Sequence, residues 1–162
     1  LIDGHVHYPS MMLVRGVADM IRMPITSNET AKLLLAKYVW IIESETNDDV
    51  LSQTLNFSKC TLEHIYPQNP QPETNWFTED FIPKGSKDGF PGIYLLGNMT
   101  LLTQRMNATA KNSGFDKKKE QYAKTKLAIT QNIAQLDKID ERYITNRHHI
   151  ITNKILEDLK LI

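Results

Sequence analysis

The stretch Cys60-Thr61-Leu62-Glu63-His64-Ile65-Tyr66-Pro67-Gln68-Asn69 sets a carboxylate beside an imidazole, at the end of an apolar run and just before a proline-rich loop. A carboxylate is a hard oxygen ligand for a divalent cation, and a histidine accepts a proton near neutral pH. The pair therefore offers what metal-assisted hydrolysis requires. Further along, Leu95-Leu96-Gly97-Asn98-Met99-Thr100-Leu101-Leu102 and then Asn107 add two amides. Taken singly these residues are ordinary. A Glu-His dipeptide is more often surface than catalytic, Asn98 alone suits a turn or a helix cap, and Asn107 alone suits an exposed helical position. Their order along the chain is what carries information.

The elements that must position them can be sketched. Phe57 to Leu62 reads as a short strand delivering Glu63 and His64 to its end. Pro67, Pro70 and Pro72 then exclude regular structure, because each removes a donor and fixes φ. Trp76, Phe77, Phe81 and Ile82 are expected to fold this excursion back onto the domain, with Lys84 to Gly89 as a solvated tip. Ile93-Tyr94-Leu95-Leu96 reads as a second strand ending at Gly97-Asn98. A helix is expected from Thr100, with Asn107 about two turns in, until Lys111-Asn112-Ser113-Gly114 breaks it. Asp116 to Ile133 reads as one lysine-rich amphipathic helix. Asp140 caps a last helix whose buried side carries Tyr143, Ile144, Ile150, Ile151, Ile155, Leu156 and Leu159. His148 and His149 are adjacent on it, point in different directions and read as surface.

Upstream, Ser10 to Met23 reads as a helix stopped by Pro24. Thr26-x-x-Glu29 looks like a capping box opening a second helix through Leu33, Leu34, Val39, Trp40 and Ile41. Thr46-Asn47-Asp48-Asp49 starts a short third one through Val50, Leu51 and Leu55. The expected organisation is a helical flank over 1–55, a core carrying the Glu63-His64 pair over 56–122 and packing helices over 123–162. The class is α+β, mostly α-helical.

Composition limits the alternatives. The 162 residues suit one compact catalytic unit. Lys and Arg equal Asp and Glu at 19 each, so overall charge favours neither a strongly basic nor an acidic protein. From Lys111 to the end, however, eleven basic residues meet seven acidic ones, a local excess that suits a polyanion or a solvated helix face. The lone Cys60 excludes an internal disulfide and a cysteine-cluster zinc site, and fits a reducing, cytoplasmic setting. No run approaches the roughly 20 apolar residues of a membrane span. His5-x-His7 in Leu-Ile-Asp-Gly-His-Val-His resembles the first metal motif of amidohydrolases, but that barrel needs about 250 residues. No serine sits in a nucleophile elbow, so Ser-His-Asp hydrolysis has no support.

Leu62-Glu63-His64-Ile65-x-Pro67-Gln68-Asn69, Trp76, Leu96-Gly97-Asn98-x-Thr100-Leu101-Leu102, Asn107 and Phe115-x-x-Lys118-Lys119-x-x-Tyr122 together resemble the HNH-type (ββα-metal, His-Me finger) domain at the C-terminus of GmrSD-like restriction endonucleases. The resemblance runs from about Phe57 to Tyr122 and returns at Ile144-x-x-Arg147. Two positions depart from the family pattern: Tyr143 stands near where a tryptophan is common, and Met99 replaces a leucine.

The resemblance implies a ββα-metal finger among flanking helices. His64 would be the general base, Glu63 and Asn107 ligands of Mg²⁺ with Mn²⁺ as a substitute, and Asn98 the residue holding the histidine loop. Lys118 would be a basic residue near the scissile phosphate. Arg105, Lys111, Lys117 and Lys119 are candidate DNA contacts, of a kind that suits phosphates rather than bases. The implied activity is endonucleolytic hydrolysis of double-stranded DNA as the effector half of a bacterial anti-phage restriction protein. Its expected partner is an N-terminal or separate nucleotide-hydrolysing, modification-sensing domain, since no phosphate-binding glycine loop occurs here. The competing expectation is an inactive DNA-binding or protein-docking module of the same fold.

Overall fold

The structure is a computed structural model that describes residues 11–46, 57–74, 76, 81 and 89–162. His5, His7, Phe77, Ile82, Lys84 and the expected short helix through Val50 and Leu55 lie outside the described residues. The elements run α1 (Met11–Arg22), α2 (Asn28–Thr46), β1 (Cys60–His64), β2 (Met99–Thr103), α3 (Gln104–Ala110), α4 (Phe115–Tyr122), α5 (Ala128–Ala134) and α6 (Glu141–Asp158). The class is α+β and mostly helical, with a two-stranded antiparallel sheet of β1 and β2.

β1 pairs with β2 from Cys60↔Thr103 to His64↔Met99, which sets Glu63 opposite Thr100. The first strand begins after a 3-10 turn over Phe57–Lys59, so it starts later than expected and includes Glu63 and His64. The second strand is not where the apolar run Ile93–Leu96 pointed. That run forms turns and a 3-10 segment over Leu96–Asn98, and Met99–Thr103, expected to begin a helix, is the strand. The reason is burial on both faces. Met99, Thr100, Leu101 and Leu102 are all buried, and a short continuous apolar run shows no alternation by which to tell a strand from a buried helix.

Helix α3 follows at once. The Thr103 hydroxyl accepts from the Met106 N–H as its N-cap, and Asn107 is the fourth residue of the helix rather than two turns in. The expected single helix from Asp116 to Ile133 is two helices, α4 and α5, separated over 123–127. There the Thr125 hydroxyl accepts from the Leu127 N–H, a local bond that competes with helical continuation. Helix α5 is then fastened to β2 through Thr130, whose hydroxyl bonds the Leu101 carbonyl at 2.9 Å and lies 2.6 Å from the Thr100 hydroxyl.

Of the N-terminal helices, α2 packs on the sheet and α1 packs on α6. Ala18, Ile21, Ala31, Leu35, Val39, Met99, Leu101, Ile151, Ile155 and Leu156 share one core. Ser27 rather than Thr26 caps α2, its hydroxyl accepting from the Thr30 N–H at 3.2 Å. Leu33 and Trp40 are exposed, as are Ile150 of α6 and Leu159 just past its end. Asp140 caps α6 as expected, accepting from the Tyr143 N–H at 2.7 Å. His148 is buried, contrary to expectation, with Nε2 2.8 Å from the Arg22 carbonyl, so it ties the end of α1 to α6. His149 stays exposed. Among the described residues no helix is long and apolar enough to cross a membrane.

A second core lies under the proline-rich loop. Tyr66, Trp76, Phe81 and Phe90 cluster with ring centroids 4.9 to 5.4 Å from Tyr66, and Phe115 joins from α4. The Trp76 indole donates to the Ser113 carbonyl at 2.8 Å. The loop without regular structure is therefore anchored by aromatic burial and one directed bond.

Candidate active site

The site forms where β1 ends, β2 begins and α3 crosses. Glu63, His64 and Asn107 line one open cleft of about 250 Å³ together with Asn28, Leu62, Pro67, Gln68, Asn69, Lys111 and Asn112. The strand pairing and the immediate turn into α3 bring residues 63, 64 and 107 together despite their separation in sequence.

Asn98 is fully buried, and its side chain spans the loop after His64. Its Oδ1 accepts from the Tyr66 N–H at 2.8 Å, while its Nδ2 donates to the carbonyls of Tyr66 and Ile93, each at 3.0 Å. The Asn98 carbonyl also accepts from the Ile65 N–H at 2.8 Å. One residue thus satisfies donors and acceptors of a turn that contributes few backbone bonds of its own.

Asn107 is oriented by the same logic. Its Nδ2 donates to the Leu62 carbonyl at 2.7 Å and the Thr61 hydroxyl at 3.0 Å. With both N–H groups committed to β1, the amide oxygen is the end left for a ligand.

Glu63 is 4% exposed and Lys118 is 0% exposed. The Lys118 Nζ donates to Glu63 Oε1 at 2.7 Å and to the His64 carbonyl at 2.6 Å, and the Tyr122 hydroxyl donates to the same Oε1 at 3.0 Å. Burial pushes the Glu63 carboxyl up, opposed by Lys118 and Tyr122, and pushes Lys118 down, opposed by Glu63. Burial first, and then Glu63, raises the Tyr122 phenol well above its ordinary range, so it remains a donor. Lys118 is consequently not where a phosphate contact was expected. A fully buried ammonium bonded to a carboxylate and a carbonyl cannot meet DNA in this conformation.

His64 is half-buried, with its ring edge-on to Tyr94 at 6.2 Å. Burial and then the Lys118 charge lower its pKa to about 4, so the imidazole is neutral at neutral pH. Its Nε2 is buried without a hydrogen-bond partner.

The candidate DNA contacts disperse. Lys111 is exposed, lines the cleft and caps α3 with φ 37, a left-handed backbone angle unusual for lysine. Arg105 is exposed on α3, two positions before Asn107. Lys117 borders a different cleft, with Gln71, Glu73 and Ser113. Lys119 is partly occupied, 3.3 Å from Asp116 and 5.1 Å from the Phe115 ring centroid.

Three supports of this site stand among the motif residues of the sequence but were given no role there. Tyr122 shares the buried stripe of α4 with Phe115 and Lys118, and a lysine at a stripe position between aromatics was the signal that it is buried. Arg147 donates through Nη1 to the carbonyls of Leu96, Gly97 and Met99 at 2.8 to 3.2 Å, holding the Asn98 turn against α6. Gly97 lets that helix approach: a Cβ there would lie 1.9 Å from the Ile144 carbonyl oxygen and 2.6 Å from the His148 nitrogen.

The donor set suits a hard cation with few protein ligands. Among the described residues no group of three or more His, Cys, Asp or Glu side chains could hold a metal, which speaks against a closed zinc-type cage there. A carboxylate and an amide oxygen at an open cleft, each with its other polar atom already bonded to protein, match Mg²⁺, which keeps several waters and takes substrate phosphate as a ligand.

This assembly is a strand–strand–helix element with an acid, a histidine and one asparagine at its cleft and a second asparagine, Asn98, buried behind the histidine loop. Residues 20–154 match the family model described as "GmrSD restriction endonucleases, C-terminal domain", and the chain belongs to that family. No curated protein and no solved structure matches it.

Proposed function

We propose that the chain is an HNH-type, metal-dependent DNA endonuclease domain that nicks or cleaves duplex DNA as the effector of a bacterial anti-phage restriction protein. The observation that carries this reading is the convergence of Glu63, His64 and Asn107 on one cleft, with the Asn107 amide nitrogen and Glu63 Oε1 both held by protein. Family membership supplies the substrate class.

In this reading the neutral His64 takes a proton from water. With Nε2 enclosed and without a partner, the proton would go to Nδ1. The resulting hydroxide attacks phosphorus, the P–O3′ bond breaks, and the leaving oxygen is reprotonated from solvent. Glu63 and the Asn107 amide oxygen would hold Mg²⁺, or Mn²⁺ in its place, which when bound supplies charge stabilisation at the phosphate and leaving oxygen. Asn98 keeps the His64–Tyr66 turn in register with the strand pair. Lys111 and Arg105 offer phosphate contacts at and beside the cleft. Modification sensing and nucleotide hydrolysis would belong to an N-terminal or partner domain.

Supercoiled plasmid incubated with the protein and Mg²⁺ or Mn²⁺ tests the proposal. Relaxed or linear product is expected, abolished by EDTA and reduced at least about 100-fold by His64→Ala, the range for a general base. Wild type and variant that both leave the plasmid intact while shifting it equally on a gel would instead establish a binding module.

A further inference from the structure

We propose that Lys118 and Tyr122 are positioning residues: a two-donor clamp, buried beneath the cleft, that fixes Glu63 for metal binding and the backbone of His64 beside it. The inference rests on the metal-site reading above and assigns Lys118 a role other than phosphate contact.

Lys118 and Tyr122 are four residues apart on α4 and so share one face. Both donate to the same carboxylate oxygen, Glu63 Oε1, at 2.7 and 3.0 Å. Glu63 nevertheless lines the cleft. With Oε1 saturated from below, the carboxylate can rotate only by breaking two charge-assisted bonds, and Oε2 remains as the oxygen for a cation. The same ammonium holds the His64 carbonyl at 2.6 Å. It therefore sets the spacing between two adjacent residues that have different tasks. A buried ion pair is a poor means of adding stability, because an apolar pair of equal volume is often as good or better. Its distinctive effect is a single carboxylate orientation, and such outer supports of metal ligands govern affinity.

The test is Mn²⁺ titration of the full chain followed by electron paramagnetic resonance, on wild type, Tyr122→Phe, Lys118→Met and Glu63→Ala. It is repeated with duplex DNA in a His64→Ala background. Tyr122→Phe keeps the ring and removes one donor, so it reports even if Lys118→Met fails to fold; circular dichroism establishes which variants are folded. The expected result is Mn²⁺ affinity about 10-fold weaker in Tyr122→Phe and up to about 100-fold weaker in Lys118→Met, the range for lost supports of a metal ligand. DNA affinity by gel shift is expected to be unchanged, and kcat to fall without a rise in KM. Folded Tyr122→Phe with wild-type Mn²⁺ affinity and kcat overturns the clamp while leaving the nuclease reading intact. Loss of DNA affinity in Lys118→Met at unchanged Mn²⁺ affinity overturns it in favour of phosphate contact. Wild type and Glu63→Ala that bind Mn²⁺ equally, with and without DNA, defeat the metal-site reading and the clamp with it.

Discussion

Replacing Asn98 with alanine tests the connection between the turn and the site. The substitution removes the partner of the Tyr66 N–H and carbonyl, which are bonded in a buried position, and of the part-buried Ile93 carbonyl. A buried group left unsatisfied costs about 1–3 kcal/mol. The N–H stands at the upper end, whereas carbonyls with a second lone pair stand lower, and partial relaxation makes the three less than additive. A loss of about 3–4 kcal/mol follows, and at about 2–4 °C per kcal/mol for a chain of this size, a fall in Tm of about 10 °C. Plasmid nicking is expected to be lost even at temperatures where the variant remains folded, because the His64–Tyr66 turn is no longer held to the strand pair. Asn98→Asp sharpens the experiment. It keeps the acceptor for Tyr66 but loses both donors and faces a buried carboxylate toward two carbonyl oxygens, so it should be at least as unstable at pH 7 and partly recover on acidification. Thermal unfolding by circular dichroism measures both variants. An Asn98→Ala protein melting within about 2 °C of wild type, less than the effect of 1 kcal/mol, would refute the reasoning.

Three further outcomes follow from the same structure. Gly97→Ala places a methyl against the backbone of α6 at Ile144 and His148, which only displacement of the helix relieves; a destabilisation of about 3 kcal/mol or more is expected, and an unchanged chemical-denaturation midpoint would contradict the close approach. Lys111→Gly relieves a left-handed backbone angle that costs about 1–3 kcal/mol, so Tm should rise while DNA affinity falls on a gel shift; a fall in Tm would count against the strain. Burial and then Lys118 hold His64 near pKa 4 in the folded chain, against about 6.5 when unfolded. Between those values the unfolded chain binds more protons, so its contribution to stability is present above about pH 6.5 and lost as pH falls toward 4. Metal-free wild type should accordingly lose more stability than His64→Gln between pH 7.5 and 5 in urea titrations. Parallel losses would show an ordinary histidine.

Much of the site was legible because it is local. Glu63 and His64 are neighbours, Asn98 closes a turn whose glycine is adjacent, and Asn107 follows a short strand by a few residues, so residue type, spacing and the family resemblance together grouped the four side chains. The capping aspartate of α6 and the break at Lys111–Gly114 were legible for the same reason: caps and turns are decided by a few consecutive residues. Strand β2 was misassigned because its four consecutive buried residues carry no period, and only the helices covering both faces make it a strand. The interruption after Tyr122 depended on a side-chain bond from Thr125 that propensity does not weigh.

Lys118 shows where local information ends. Read along the chain its side chain suits phosphate as well as carboxylate, since a lysine between two other lysines resembles a solvated face. Packing decides otherwise: the stripe Phe115, Lys118, Tyr122 turns α4 so that the ammonium is sealed beneath Glu63 and reaches the His64 carbonyl. The same holds for His148 and Arg147, polar residues buried because α6 lies against the end of α1 and the Gly97 turn. Residue order along the chain determined which groups are available for chemistry and the short elements that carry them. Which of those groups faces the cleft and which is enclosed as a support was decided by tertiary packing alone, because desolvation depends on neighbours brought from distant parts of the chain.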